Sequence, residues 1–224
     1  MKPKRQITAI EAGAIMISSI IGVGVLPLPL FAVRAADSGA PLVTLLGMLV
    51  ALIGVILFTV LGMRFPRMTL VQYSRSVIGR APAFVLNLVL VIYFSAITAM
   101  TAREFGEVVI TAVLKNTPVE VTVVVMLILA AISARNDITT FAYIHYFYLP
   151  FLLVPVLLIV GLSLKNADVI NLLPVWGNEH REMIPGVLLI AMLFQAAFTQ
   201  TAVIPAMRQP SRALTASLVG LLVS

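Results

Sequence analysis

Residues 20–29 read IIGVGVLPLP. Two glycines and two prolines interrupt an otherwise apolar run. The composition makes that run a membrane span: 61% of the chain is hydrophobic and 11% charged, where a soluble domain carries about 25% charged residues. Pro27 and Pro29 have no N–H, so the carbonyls of Val23 and Val25, four residues earlier, lose their helical donors. Gly22 and Gly24 leave their own backbone unshielded by side chains. Unpaired backbone at membrane depth persists only where it is buried in protein or lines a cavity. One glycine alone reads as a close helix contact. The cluster reads as a broken helix, whose ends offer N–H groups and a positive dipole end to a carboxylate.

Working outward, charged residues bracket further apolar runs of about 20 residues, the length of a span. The expected spans are 8–34, 40–63, 82–114, 118–134, 138–164 and 184–207, with a seventh begun at 213–224. The basic start MKPKR leads into the first run without a small-residue cleavage site, so that run is expected to be retained rather than removed as a signal peptide. With the N-terminus in the cytoplasm, Lys2, Lys4, Arg5, Arg64, Arg67, Arg75, Arg80, Arg135, Arg208 and Arg212 lie inside. Arg34, Lys115, Lys165 and Arg181 lie outside. That excess fixes the expected orientation. The inner loop from Arg64 to Arg80 has room for a short interfacial helix, and Trp176 is an interface anchor on the largest outer segment.

The stretch GVGVLPLP resembles the G-x-G break in the first helix of amino acid–polyamine–organocation permeases, with Pro29 as the matching proline. Four further segments are similar to the spore germination receptor B subunit family, the endospore germination permeases. These are QITAIEAGAIMISSIIGVGVL, the basic loop FPRMTLVQYSRSVIGR, TAREFGEVVITAVL at the end of the third helix, and NLLPVWGNE before the sixth. The resemblance runs over essentially the whole chain. It implies an all-α integral membrane protein with a partial leucine-transporter-type inverted-repeat bundle, six spans plus the start of a seventh. That is a single permease-like domain over 1–224, C-terminally incomplete because such proteins have about ten spans. A small amino acid would sit between the broken first and sixth helices.

The sixth helix departs from the permease pattern. Where permeases carry a glycine and a glutamate, this chain has FQAAFTQTAVIP, with Ala196 and Ala197 in place of glycine and no acid. Two readings stand. Gln195, Thr199, Gln200 and Thr201 are interhelical hydrogen-bonding groups; or Phe194, Ala197 and Phe198 shape an apolar pocket in which Gln195, Thr199 or Gln200 orients a ligand. Pro205 marks a weak point near the inner end. On the third helix, Tyr93 and Ile97 are one turn apart on one face, and the resemblance turns that face to the substrate. The expected ligand residues are therefore Gly22, Val23, Gly24, Tyr93, Ile97, Phe194, Gln195, Ala197, Phe198 and Thr199.

Other polar residues have quieter readings. Arg103 and Glu107 are four apart and can pair on one helix face; the alternative is an outer vestibule. His145, in the aromatic run FAYIHYFYLPF, is a helix–helix contact or a weak stand-in for the lysine that some proton-coupled permeases carry there. Pro150 and Pro155 are expected to kink that helix. Glu11 sits at an inner gate or is an interfacial charge.

There is no cysteine, no phosphate-binding loop and no nucleophile with a base. The expectation is no enzyme, no cofactor and no metal or nucleic-acid site. The resemblance implies a receptor subunit of the spore inner membrane that binds a small germinant, an amino acid in kind. Its partners would be a larger membrane subunit, a lipoprotein subunit and the lipid bilayer. A proton- or sodium-coupled amino acid transporter is the first alternative. A non-functional truncated product is the second.

Overall fold

The structure is a computed structural model that describes residues 6–25, 27–168, 170, 173–176 and 183–224. Lys2, Lys4, Arg5 and Arg181, used above for orientation, lie outside the described residues. Among those described, the regular elements are all helices, and one isolated bridge pairs Ile7 with Met207. Four helical runs are long and apolar enough to cross a membrane: Pro27–Arg64, Arg80–Ala112, Ile138–Ser163 and Met183–Ala206.

The chain forms two compact units. The first comprises Met1–Arg67 and Ala142–Ser224. It opens with α1 (Ala9–Gly24), which starts from a capping box: the Thr8 N–H donates to Glu11 Oε2 at 2.8 Å and the Glu11 N–H to Thr8 Oγ1 at 3.3 Å. Helix α1 stops at Gly24, and α2 (Pro27–Ala36) begins at the first proline. Proline suits the start of a helix, where its missing N–H costs nothing. The chain then turns at Asp37, whose φ of 48° is left-handed, into a 3-10 turn and α3 (Ala40–Arg64). After α3 the unit resumes with most of α7 (Ile138–Ser163), α8 (Met183–Leu193), a 3-10 helix over Phe194–Thr199, α9 (Gln200–Val203), a 3-10 turn over Ile204–Ala206, and α10 (Ala213–Val223).

Packing in this unit depends on small residues. A Cβ added at Gly47 would stand 2.6 Å from Ile190 Cγ2, and one at Gly186 would stand 2.5 Å from Ala35 Cβ. Both glycines therefore set how closely α3 and α2 approach α8. Gly220 of α10 lies similarly tight on Met16 of α1. Met16, Ile20, Ala32, Ala36, Val43, Val55, Ile190, Phe194, Ala197 and Leu221 share one buried apolar cluster. Thr59 Oγ1 donates to Ser217 Oγ at 3.2 Å inside the same unit, joining α3 to α10.

The second unit is Met68–Phe141. The segment between Arg64 and Arg80 holds a short helix, α4 (Leu70–Ile78), capped by Thr69 and Gln72. Gly79, at φ 83°, turns the chain into α5 (Arg80–Ala112), a conformation that favours glycine. Helix α6 (Val119–Ser133) packs on α5 where Gly106 meets Val119 and Val123.

Candidate functional site

The first helix and the run Met183–Ala206, the expected sixth span, are tied together at three points, two of them forming the parallel bridge of Ile7 with Met207. The Ile7 N–H donates to the Ala206 carbonyl at 2.9 Å, and the Arg208 N–H donates to the Ile7 carbonyl at 2.8 Å. Further along, Gln200 Nε2 donates to the Ala12 carbonyl at 2.8 Å. From Gln200 back to Phe194, six residues of 3-10 helix rise about 12 Å. That matches about eight residues of α-helix, which carries the register from Ala12 to Ile20. Ile20 and Phe194 indeed belong to one buried cluster. Phe194 is thus the residue of the 3-10 helix nearest the break in the first helix.

Both helices change character along their length. The first is interrupted between Gly24 and Pro27, and the sixth passes from α to 3-10 geometry at Phe194. Their halves pair accordingly: α2 packs on α8, while α1 packs on the 3-10 helix and α9. Thr199 Oγ1 donates to the Ala196 carbonyl and Thr201 Oγ1 to the Phe198 carbonyl, each at 2.8 Å and each three residues back. Such back-bonding competes with the regular ladder. In a 3-10 helix residues three apart eclipse, and Phe194, Ala197, Gln200 and Val203 form one buried stripe.

Gly22, Val23 and Gly24 lie in the last turn of α1. There their N–H groups serve the helix's own ladder, as the Val25 N–H does in donating to the Ile21 carbonyl at 3.0 Å. The sequence reading gave a carboxylate to these N–H groups; the helical geometry instead leaves the end of α1 rich in carbonyls, with Val23 and Val25 facing prolines four residues on. The donor at the start of α2 is the N–H of Leu28, because Pro27 and Pro29 have none. Gly24 is buried, yet a Cβ there would meet nothing within 4 Å; Gly22 is exposed and equally unobstructed. Neither glycine serves helix packing, and both border open space.

The other expected residues are distributed as follows. Phe194 and Ala197 are buried in the core cluster. Phe198 turns to α3, edge-on to Phe58 with ring centroids 5.1 Å apart. Gln195 and Thr199 are half-buried. Tyr93 and Ile97 lie on α5 in the second unit, where Tyr93 is 40% exposed and packs edge-on to Phe94.

His145 makes the helix–helix contact that was one of its two readings, with partners the sequence did not name. Ser18 Oγ, 1% exposed on α1, meets Nδ1 of His145 on α7, and the Tyr148 hydroxyl lies 3.1 Å from the same nitrogen. Ser18 Oγ is also 2.7 Å from the Ala14 carbonyl. Its position one turn before Gly22 was the available signal. Glu11, by contrast, is taken up in the capping box with Thr8. Arg103 and Glu107 pair at 3.0 Å with largely exposed side chains, as an ordinary i,i+4 contact.

The end of one half-helix and the start of another, bordered by open space and apolar side chains, suit a small molecule with a positive and a negative end. The carbonyls of α1 attract the former and the start of α2 the latter. Comparison with known proteins identifies relatives of the whole chain. The chain is 28% identical over 229 residues to spore germination protein B2 of Bacillus subtilis (strain 168), covering 100% of this chain and 61% of that protein. It is 26% identical over 219 residues to spore germination protein YndE of the same organism, covering 97% of this chain and 60% of that protein. Spore germination protein GerLB of Bacillus cereus is 29% identical over 125 residues, 54% of this chain and 33% of that protein. The chain thus spans about three-fifths of the length of the first two relatives. No solved structure matches it. A family model described as spore germination protein matches residues 6–224, and the chain belongs to this family of spore permeases.

Proposed function

We propose that the chain is the permease-like membrane subunit of a spore germinant receptor, and that a small germinant of amino acid type binds at the break in the first helix. The observation that carries this is the interruption between Gly24 and Pro27 inside an apolar segment, with unobstructed space at both glycines. The germinant's ammonium faces the carbonyls at the end of α1, from Gly22 to Val25. Its carboxylate faces the start of α2. Phe194 and Ala197 supply the apolar wall beside the break, with Gln195, Phe198 and Thr199 along the same 3-10 helix.

The fold in this reading is part of a leucine-transporter-type inverted repeat, six spans and the start of a seventh, in the spore inner membrane with its N-terminus in the cytoplasm. Binding shifts the balance between two arrangements of the broken helices only if the ligand prefers one of them. A larger membrane subunit and a lipoprotein subunit are the partners that read the shift.

The test is germination of spores whose receptor carries Gly24→Leu, followed by the fall in optical density on adding amino acids, with membrane insertion checked by blotting. A Cβ at Gly24 meets nothing within 4 Å, so insertion is expected to persist while the response is lost. A normal response at normal protein level removes the site from the first helix.

A second reading, a proton-coupled amino acid transporter, is favoured by the Ser18–His145–Tyr148 cluster beside α1. Uptake of radiolabelled amino acid into vesicles under an imposed pH gradient separates the two: sensing gives saturable binding without accumulation.

A further inference from the structure

Two adjoining cavities in the first unit lie outside the proposed germinant site. The first, of about 250 Å³, is lined by Thr8, Ala9, Ile10, Arg208, Gln209 and Arg212. The second, of about 470 Å³, extends between α1, α7 and α10 and shares Ala9, Ile10 and Arg212 with the first. Its remaining lining is apolar apart from Tyr146 and Thr215, with Ile17, Leu149 and Val219 among the larger side chains. One end of the combined space is cationic and the other greasy.

We propose that this space holds one anionic phospholipid, its phosphate on Arg208 and Arg212 and an acyl chain along the groove between α1, α7 and α10. Charge complementarity selects the headgroup. Both arginines are exposed, and neither has an ion-pair partner among the described residues. The Glu11 carboxylate, the acid nearest in sequence to this end of α1, is turned into its capping box and lines neither cavity. The start of α1 adds the positive end of its dipole. The backbone of Arg208 is held at this end of α1 by its bond to the Ile7 carbonyl. Both arginines belong to the basic set that the charge pattern assigns to the cytoplasmic face, where anionic lipid attracts such clusters. The continuous apolar groove distinguishes a lipid from a free phosphate ion, which has no use for it.

The experiment is native mass spectrometry of the purified chain released from vesicles of phosphatidylcholine mixed with phosphatidylglycerol. Wild type is expected to retain one phosphatidylglycerol in preference to phosphatidylcholine. The variant R208Q/R212Q should lose that preference by about fivefold per arginine, and R208K/R212K should largely keep it. Val219→Trp, which fills the groove and leaves both arginines, should weaken lipid retention without restoring phosphatidylcholine. Circular dichroism in the same vesicles confirms that each variant is folded. Equal retention of the two lipids by wild type overturns the proposal, as does a preference untouched by R208Q/R212Q. Retention untouched by Val219→Trp, or abolished by inorganic phosphate alone, assigns the arginines to a free anion and also overturns it. A groove found filled by a second copy, seen as lipid-free dimers, does the same.

Discussion

The side-chain amide of Gln200 donates to the main-chain carbonyl of Ala12 at 2.8 Å, across 188 positions of sequence, in a site where Gln200 is 2% exposed. Its other polar atom, Oε1, is buried and without a hydrogen-bond partner among the described residues. The residue thus makes one bond and leaves one acceptor unsatisfied. Gln200→Ala forfeits the bond and opens a void, and should cost about 1–3 kcal/mol. Gln200→Leu forfeits the same bond but fills the space that Ala leaves empty, so its cost should be smaller. Chemical unfolding in detergent micelles gives the order. A larger loss for Leu than for Ala would mean that the site does not admit a branched apolar side chain.

Ser18 and His145 join α1 to α7 through buried polar atoms. Interhelical hydrogen bonds of this kind are worth about 0.6 kcal/mol on average in membrane proteins and up to about 1.7. A double-mutant cycle with Ser18→Ala and His145→Phe should return a coupling in that range, with the double variant less destabilised than the sum of the singles. A coupling of zero would make the contact incidental.

Two glycines on one helix should respond oppositely to the same change. At Gly47 a methyl would stand 2.6 Å from Ile190 Cγ2 and 2.7 Å from Ile190 Cβ, whereas at Gly54 nothing lies within 4 Å. Gly47→Ala forces α3 and α8 apart and should cost about 1–3 kcal/mol. Gly54→Ala should be neutral or gain up to about 1 kcal/mol, since alanine is the better helix former. Thermal unfolding of the two variants side by side is the check, and equal effects would contradict the packing described.

The pair Arg103–Glu107 should matter little. With side chains 73% and 54% exposed, it is expected to contribute no more than about 0.5 kcal/mol. Glu107→Gln should therefore leave both unfolding and germinant response near wild type. A strong loss of response at unchanged stability would assign these charges a functional role.

The interruption of the first helix was legible because proline removes a donor by covalent structure, whatever surrounds it: α2 starts at Pro27 itself. The corresponding change in the sixth helix carried no such mark. Thr199 and Thr201 bond three residues back there, and threonine at these positions reads equally well as ordinary helix. The usable clue was spacing: Phe194, Ala197, Gln200 and Val203 recur every three residues, where an α-helix asks for 3.6. The sense of the break was also hidden. Glycines in a sequence do not say whether their N–H groups lie before or after a helix end, and only the helical state of Gly22–Gly24 shows that carbonyls stand at this end of α1. Ser18 could not be paired with His145 in advance, since a contact across 127 positions depends on how whole helices pack.

The bridge between Ile7 and Met207 places the first helix under a delay that begins at the ribosome. Translation at about 5–20 residues per second separates the emergence of Ile7 from that of Arg208 by roughly 10–40 s. Throughout that interval α1 exists with the Gln200 amide, the 3-10 helix and α10 not yet made. Its Ser18 hydroxyl can meanwhile bond back to the Ala14 carbonyl, the 2.7 Å contact it keeps in the finished fold. A helix that bonds to itself first and to its neighbours later can wait in lipid without an exposed polar group.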